Sequence, residues 1–402
     1  MTNKFRITST LLISFLLGVL LLSIVLFKSE WLWALGSVGV WLNALLTGTG
    51  IILMALAAGK MASIPPKYTL GGLFLAEITL ITIGFVIAKN QLSEAPAFNF
   101  IKNVYSMSLS SLQYNDALNQ YDPKLGYLYK KNIVGSFSQW EFSPQTIKTN
   151  VLGLRDDSLS GTHPEIIALG DSYTTGWGVN QKESFPELLE KHLHRKVLNA
   201  GIASFGTVRE SVLLQQLPLD SCKLLIIQYC INDITENKTW ADSLLKGHTY
   251  APSFDQHEYI LRQTYNTMSG MYFPFKYVLN TTKKALQFLF LPRPKHDPFF
   301  KYTAQPIDEH IIYFYKTLEY LQQHYKGPIV VISLSDSPSF DKDFIQKVEQ
   351  KRATLHYPAI YFLNVTNTLT QEDFYLIDGH ATAKGHAKIA QSLAQFIQNK
   401  HL

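Results

Sequence analysis

Three long stretches nearly free of charge fill the first ninety residues, and they limit what the rest of the chain can be. Residues 7–27 and 31–58 hold no charged side chain, and residues 69–88 hold a single one, Glu77. A hydrocarbon core of about 30 Å needs about 20 apolar residues of helix, and each stretch meets that length. The pattern predicts a three-span membrane anchor over residues 1–90. No A-x-A-like cleavage site follows the first stretch, which argues against a removed signal peptide. Lys4 and Arg6 precede the first stretch, and Lys60 and Lys67 lie between the second and third. Excess Lys and Arg stays cytoplasmic. The N-terminus is therefore expected inside, and everything beyond the third span outside: a multi-pass protein of the cell (inner) membrane. If the cell is bacterial, outside means the periplasm or the cell surface.

Glu77 in mid-span is costly unless it is paired. The sequence offers Asn43 in the second span as a partner, joining two helices; a signalling or transport role for Glu77 is the rarer alternative. The net charge of +5 is modest for 402 residues and comes without a Lys/Arg block. Nucleic acid is set aside as a partner on that ground. Cys222 and Cys230 flank an apolar run that reads as a strand, which would hold them roughly 26 Å apart. A disulfide between them is not expected. No Cys or His spacing suggests a metal site, and no cofactor is implied.

Beyond the spans the pattern changes twice. Residues 91–162 lack helical periodicity and alternate loosely around Gly126-Tyr-Leu-Tyr and Gln139-Trp-Glu-Phe, which suggests a β-rich connector. From residue 163 to the C-terminus, short apolar runs alternate with helical segments. Strands are expected at Glu165-Ile-Ile-Ala-Leu, Lys196-Val-Leu, Lys223-Leu-Leu-Ile-Ile, Pro328-Ile-Val-Val-Ile and Ala359-Ile-Tyr-Phe-Leu. Such alternation implies an α/β domain with a parallel sheet covered on both faces. Ligands of such sheets sit at the carboxyl ends of the strands.

Those ends carry chemistry. The first strand runs into Gly170-Asp171-Ser172-Tyr173, a tight turn that would present a serine. Asn199-Ala-Gly201 follows the short second strand, and Cys230-Ile-Asn232-Asp233 ends the third. Asp378-Gly-His380 precedes the last helix. A hydroxyl, an imidazole, a carboxylate and hydrogen-bond donors are the parts acyl transfer requires. In their order and context these four blocks resemble the SGNH hydrolases, also called GDSL esterases/lipases. The resemblance covers roughly residues 164–402, and weakly the upstream run Thr149-Asn-Val-Leu-Gly-Leu-Arg155-Asp-Asp. It implies a three-layer α/β/α, flavodoxin-like domain. It implies Ser172 as nucleophile, His380 as general base and Asp378 as the residue that orients it. The N–H of Ser172, Gly201 and Asn232 would form the oxyanion hole.

Two positions depart from the family pattern. Cys230 stands where block three usually has Gly, and the final block reads D-x-H in place of D-x-x-H. The second departure leaves open Asp373 as the carboxylate, or a Ser–His dyad assisted by a backbone carbonyl. His386 reads as a packed histidine, and Trp177 as a turn residue or a substrate contact. Residues 238–306 form an insertion, read either as a lid resting on lipid headgroups or as a subdomain filling a sheet edge. The expected activity is ester hydrolysis or O-acyl transfer of a small group such as acetyl. The substrate would be an ester-bearing small molecule, a lipid or an envelope glycan. A non-catalytic glycan-binding or assembly module on the same shell is the competing class.

Overall fold

In the computed structural model the described residues are 9–27, 29–90, 112–139, 142–157, 161–252, 254–269, 271–282, 306–335, 337–352, 359–375 and 378–402. They fall into two compact units. The first combines Met1–Asn115 with Gln256–Arg293, and the second Asp116–Asp255 with Pro294–Leu402.

The first unit is helical. Its elements are α1 (Ser9–Phe27), α2 (Ser29–Trp33), α3 (Gly36–Met61) and α4 (Pro66–Asn90). Among the described residues two helices, α3 and α4, are long and apolar enough to cross a membrane by length and composition; Ser9–Val25 of α1 is a shorter apolar stretch. The stretch expected as one span from residue 31 is broken before Gly36, which takes φ 56°, a left-handed value that favours glycine. The helices of this unit display large apolar side chains outward, among them Trp41, Leu45, Phe74 and Leu75.

Later chain joins this bundle. Helix α9 (Gln256–Ser269) and a helical segment over residues 276–282, α10, group with the N-terminal helices. Phe275 and Leu279 pack into one apolar cluster with Val25 and Ile51. The Glu77–Asn43 bond expected from sequence is not formed. Both Glu77 oxygens accept backbone N–H groups, from Tyr277 at 3.1 Å and Val278 at 2.8 Å. Asn43 instead donates to the Tyr265 hydroxyl at 3.5 Å and accepts from Thr47 at 3.1 Å. The uncapped N–H groups at a helix start attract a carboxylate more strongly than a neutral amide does. The lysine- and proline-rich end of the insertion, residues 283–305, lies outside the described residues.

In the second unit two antiparallel hairpins come first. They are β1 (Asn119–Asp122) with β2 (Gly126–Tyr129), and β3 (Val134–Gln139) with β4 (Phe142–Lys148). The α/β part follows, with strands β5 (Ile166–Gly170), β6 (Val197–Gly201), β7 (Leu224–Tyr229), β8 (Ile329–Ser333) and β9 (Ile360–Leu363). Its sheet is parallel throughout, in the order β6-β5-β7-β8-β9. Counted along the chain this is 2-1-3-4-5, the flavodoxin-like order, with its topological switch between β5 and β7.

The reason is written in the strands. Every residue of β5, β7 and β8 is buried, as continuous Val/Ile/Leu runs require when helices cover both faces. Helices α6 (Phe185–Leu193) and α13 (Ala383–Lys400) pack together as one layer. Helices α7 (Thr207–Leu214), α8 (Ile234–Leu245), α11 (Ile307–Leu321) and α12 (Pro338–Gln350) form the other. The unit is thus α/β/α in three layers. The two cysteines are unpaired, with Cys230 buried and Cys222 partly so.

Candidate active site

The turn after β5 builds the site. Asp171 caps the one-turn helix α5 (Ser172–Thr175) by accepting the Tyr173 N–H at 2.9 Å. Gly170 has no room for a side chain, since a Cβ there would lie 2.1 Å from Thr174 Oγ1 and 2.5 Å from Gln228 Oε1. Gln228, a polar residue inside the otherwise apolar β7, is the clamp. Its oxygen accepts the Asp171 N–H at 3.1 Å and the Thr174 hydroxyl at 3.0 Å, and its amide donates to Leu334 O at 3.3 Å. Buried polar groups are kept because they are satisfied, and this one joins three strands' ends.

Ser172, His380 and Asp378 meet, although 208 residues separate the first two. Ser172 Oγ lies 2.7 Å from His380 Nε2, and His380 Nδ1 lies 2.5 Å from Asp378 Oδ1. Both contacts are within the reach a general base and its orienting carboxylate need. The D-x-H spacing works because Gly379 takes φ 83°, a left-handed turn that folds Asp378 back onto the next-but-one side chain. Tyr173 OH secures that turn by donating to Gly379 O at 2.9 Å, and the Tyr375 N–H donates to His380 O at 2.8 Å. Asp373 is occupied elsewhere. It accepts from the Thr370 N–H at 2.7 Å, the Thr370 hydroxyl at 2.9 Å and Lys388 Nζ at 2.6 Å.

Burial alone would raise the Asp378 carboxyl. The neighbouring His380 and the Trp177 indole outweigh it and hold the group below the ordinary carboxylate range. Asp378 therefore stays ionised near neutrality and favours the imidazolium that forms when His380 takes a proton. Trp177 was read from sequence as a turn residue or a substrate contact. Its indole N–H donates to Asp378 Oδ2 at 3.2 Å, and its ring lies 5.6 Å from that of His380. It holds the carboxylate in place.

The candidate oxyanion donors divide. Asn232 is exposed in the turn after β7, at the carboxyl edge next to β5. Asp233 braces this turn, accepting from the Cys230 N–H at 3.2 Å and the Thr207 hydroxyl at 2.5 Å. Cys230 thus fits the position where Gly was expected, with an extended backbone of φ −121°. Gly201 does not offer the free N–H expected of it. It is buried, and its N–H is donated to Asn199 Oδ1 at 3.1 Å. What the glycine provides is proximity: a Cβ there would come within 2.3 Å of Thr175 N. Beyond it the chain passes through exposed Ser204 at φ 65°, a strained value for a residue with a Cβ. Tyr127 OH donating to Ala203 O at 2.8 Å, and the Gly206 N–H donating to Glu236 at 3.1 Å, hold that loop.

Arg155 carries no sequence signal of its role. It is 2% exposed, and its guanidinium donates to Thr146 O at 3.0 Å, Thr175 O at 3.1 Å, Gly176 O at 2.5 Å and Val179 O at 2.7 Å. Burial lowers its pKa to about 10, still cationic at neutrality. It thereby fixes the loop that follows the nucleophile. Its neighbour Asp156 accepts the Asn199 N–H at 2.7 Å. His386 is fully buried and accepts the Phe185 N–H at 3.1 Å on Nδ1, a packing role. An aromatic wall borders the triad. Phe137 lies 4.4 Å from Trp177, and Phe142 lies 5.4 Å from both Phe137 and Tyr375. Among the described residues no cluster of His, Cys, Asp and Glu could hold a metal ion.

No family model matches the sequence, and no curated protein matches it. Solved structures show distant likeness. A member of the lipolytic protein G-D-S-L family from Veillonella parvula is 12% identical at a TM-score of 0.35, covering 58% of this chain and 97% of its own. TesA is 12% identical at 0.31, covering 58% and 98%. The salicylyl-acyltransferase SsfX3 of a tetracycline biosynthetic pathway is 13% identical at 0.33, covering 64% and 58%. The fold assignment stands on the strand order above.

Proposed function

We propose that this chain is a membrane-anchored, SGNH-type serine ester hydrolase or O-acyltransferase. The observation that carries the reading is the continuous contact from Ser172 Oγ through the His380 ring to Asp378. A serine hydroxyl is a weak nucleophile until a base takes its proton. His380 Nε2 is placed to do so as Oγ attacks the ester carbonyl, while Asp378 fixes the tautomer and faces the resulting positive charge. The developing oxyanion would be met by the Ser172 N–H and the Asn232 amide, with Gly201 acting as a spacer. Collapse expels the alcohol with the proton from His380 and leaves acyl-Ser172. Water or an acceptor hydroxyl then attacks in the same way, with His380 again taking the proton. Hydrolysis and transfer differ only in that second nucleophile.

The apolar helices α3 and α4 and the charges flanking the spans support an inner-membrane anchor with the sheet unit outside the cytoplasm. A small acyl group, such as acetyl, on an envelope glycan suits that location. The half-buried rings of Phe137, Trp177 and Tyr375 support it too, since flat aromatic faces suit sugar rings. Three measurements test the reading. A fluorophosphonate probe should label the folded chain and not Ser172→Ala; a folded wild type that stays unlabelled points to the glycan-binding alternative. Acetate release from envelope glycans should disappear in the same variant. A reporter active only outside the cytoplasm, fused after Lys89, should be active, and silence there would reverse the compartment.

A further inference from the structure

The chain that follows α8 returns to the helical unit. Helix α9 runs alongside α3: a Cβ on Gly36 would lie 3.3 Å from Leu261 and 3.9 Å from Thr264, and Asn43 bonds Tyr265. Gly36 begins α3, and Asn43 lies about 10 Å further along its axis at 1.5 Å per residue. The chain then turns, and Phe275 and Leu279 meet Val25 and Ile51. Ile51 lies about 22 Å along α3 from Gly36, just past the middle of that helix. The Phe275 ring also stands edge-on to Phe74 of α4, 6.2 Å between centres.

Glu77 closes the arrangement. It is 2% exposed, in the middle of α4, and its two oxygens take two successive N–H groups from the first turn of α10. In hydrocarbon a lone carboxylate is expensive, and so are unpaired N–H groups at a helix start. Each removes the other's cost. The only described side chains of the turn that face outward strongly are apolar or aromatic, with Met271 at 61% and Tyr272 at 57% exposure.

We infer that residues 256–269 and 271–282 belong to a re-entrant element, dipping into the bilayer beside the spans, latched by Glu77 and contacting lipid acyl chains through Met271 and Tyr272. This rests on the membrane-anchor reading and adds to it a second attachment, supplied by chain that lies between the oxyanion turn at Asn232 and the fourth sheet strand. The segment is not a lid on the membrane surface, because its turn lies level with the middle of α3 and α4.

The full chain, with Cys222→Ser and Cys230→Ala, is reconstituted in phosphatidylcholine vesicles. An environment-sensitive fluorophore is attached at Met271→Cys, at Leu45→Cys on the outward face of α3, or at exposed Lys246→Cys. Quenching by lipids bearing a doxyl group at carbon 12 is compared with quenching by aqueous iodide. Re-entry predicts that Met271→Cys behaves as Leu45→Cys does, and reacts with an impermeant maleimide at least tenfold more slowly than Lys246→Cys. Met271→Cys in water with Leu45→Cys in lipid overturns re-entry and leaves the anchor standing. Both in water overturns the anchor, and re-entry with it. Adding Glu77→Leu should raise the maleimide rate at Met271→Cys severalfold while leaving Leu45→Cys unchanged. Glu77→Gln, which keeps an acceptor, should raise it less; equal rates in all three would remove the latch.

Discussion

Asp378 and Glu77 are both half-hidden from water or more, and they do opposite work. Asp378 faces an imidazole that can gain and lose a proton, so its charge is felt in chemistry. Glu77 faces two backbone N–H groups, which cannot titrate, so its work is architectural. The side chains are nearly the same. What differs is the partner: a side chain two residues on for Asp378, and backbone 200 residues on for Glu77. A carboxylate in a hidden place thus says little about function until the group opposite it is known.

If that contrast holds, substitutions in the sheet unit should cost turnover without releasing the helical unit. The largest effect belongs to Ser172→Ala and His380→Ala, each expected to lower kcat by about 10⁴-fold or more. Residual activity within tenfold of wild type, in a steady-state ester assay, would break the assignment. Asn232→Ala should follow, at on the order of 100- to 1000-fold in kcat with KM little changed, because an oxyanion donor acts in the transition state. A matching rise in KM alone would make Asn232 a binding residue.

Trp177→Phe sharpens the comparison on Asp378. It keeps the ring beside His380 and removes the indole N–H, so kcat should fall by about tenfold, the worth of a hydrogen bond to a charged group. The acid limb of the pH–rate profile should also move, because Asp378 loses a donor that favours its ionised form. A fall in kcat with an unmoved profile would reduce Trp177 to packing.

His386 gives the smallest effect and concerns stability alone. Burial, aided by the charges of Arg155 and His380, lowers its pKa to about 3 from the ordinary 6.5. The folded state therefore keeps the ring neutral where the unfolded chain already binds a proton. Stability is fully present above about pH 6.5 and drains away as pH falls towards about 3, by at most about 1.4 kcal/mol per pH unit. His386→Gln should be less stable at pH 7 yet lose less between pH 6.5 and 4.5. Parallel melting curves for the two proteins would show that the histidine does not titrate.

Much of the sheet unit was legible because its signals are local. Continuous apolar runs such as Leu224-Leu-Ile-Ile give buried parallel strands wherever they occur. Ser172, Asn232 and His380 could be picked out because each sits at the end of such a run or before a strongly patterned helix. Gly201 shows the limit of such signals: its place in the motif is visible, but the Asn199 oxygen that takes its N–H is not. Gln228, Arg155 and Trp177 carry no local signal, since their partners are backbone carbonyls, a turn and a carboxylate brought in by folding.

What the sequence determined by itself was the split between an apolar, charge-poor beginning and an alternating α/β remainder, together with the candidate site residues. Periodicity and composition act over neighbouring residues, so they can be read from order alone. The tertiary structure decided the pairings. It chose Asp378 over Asp373, engaged the Gly201 N–H, and sent residues 256–282 to Glu77 instead of to a sheet edge. Such choices depend on which unsatisfied donors and acceptors packing leaves side by side, and only the folded chain contains that information.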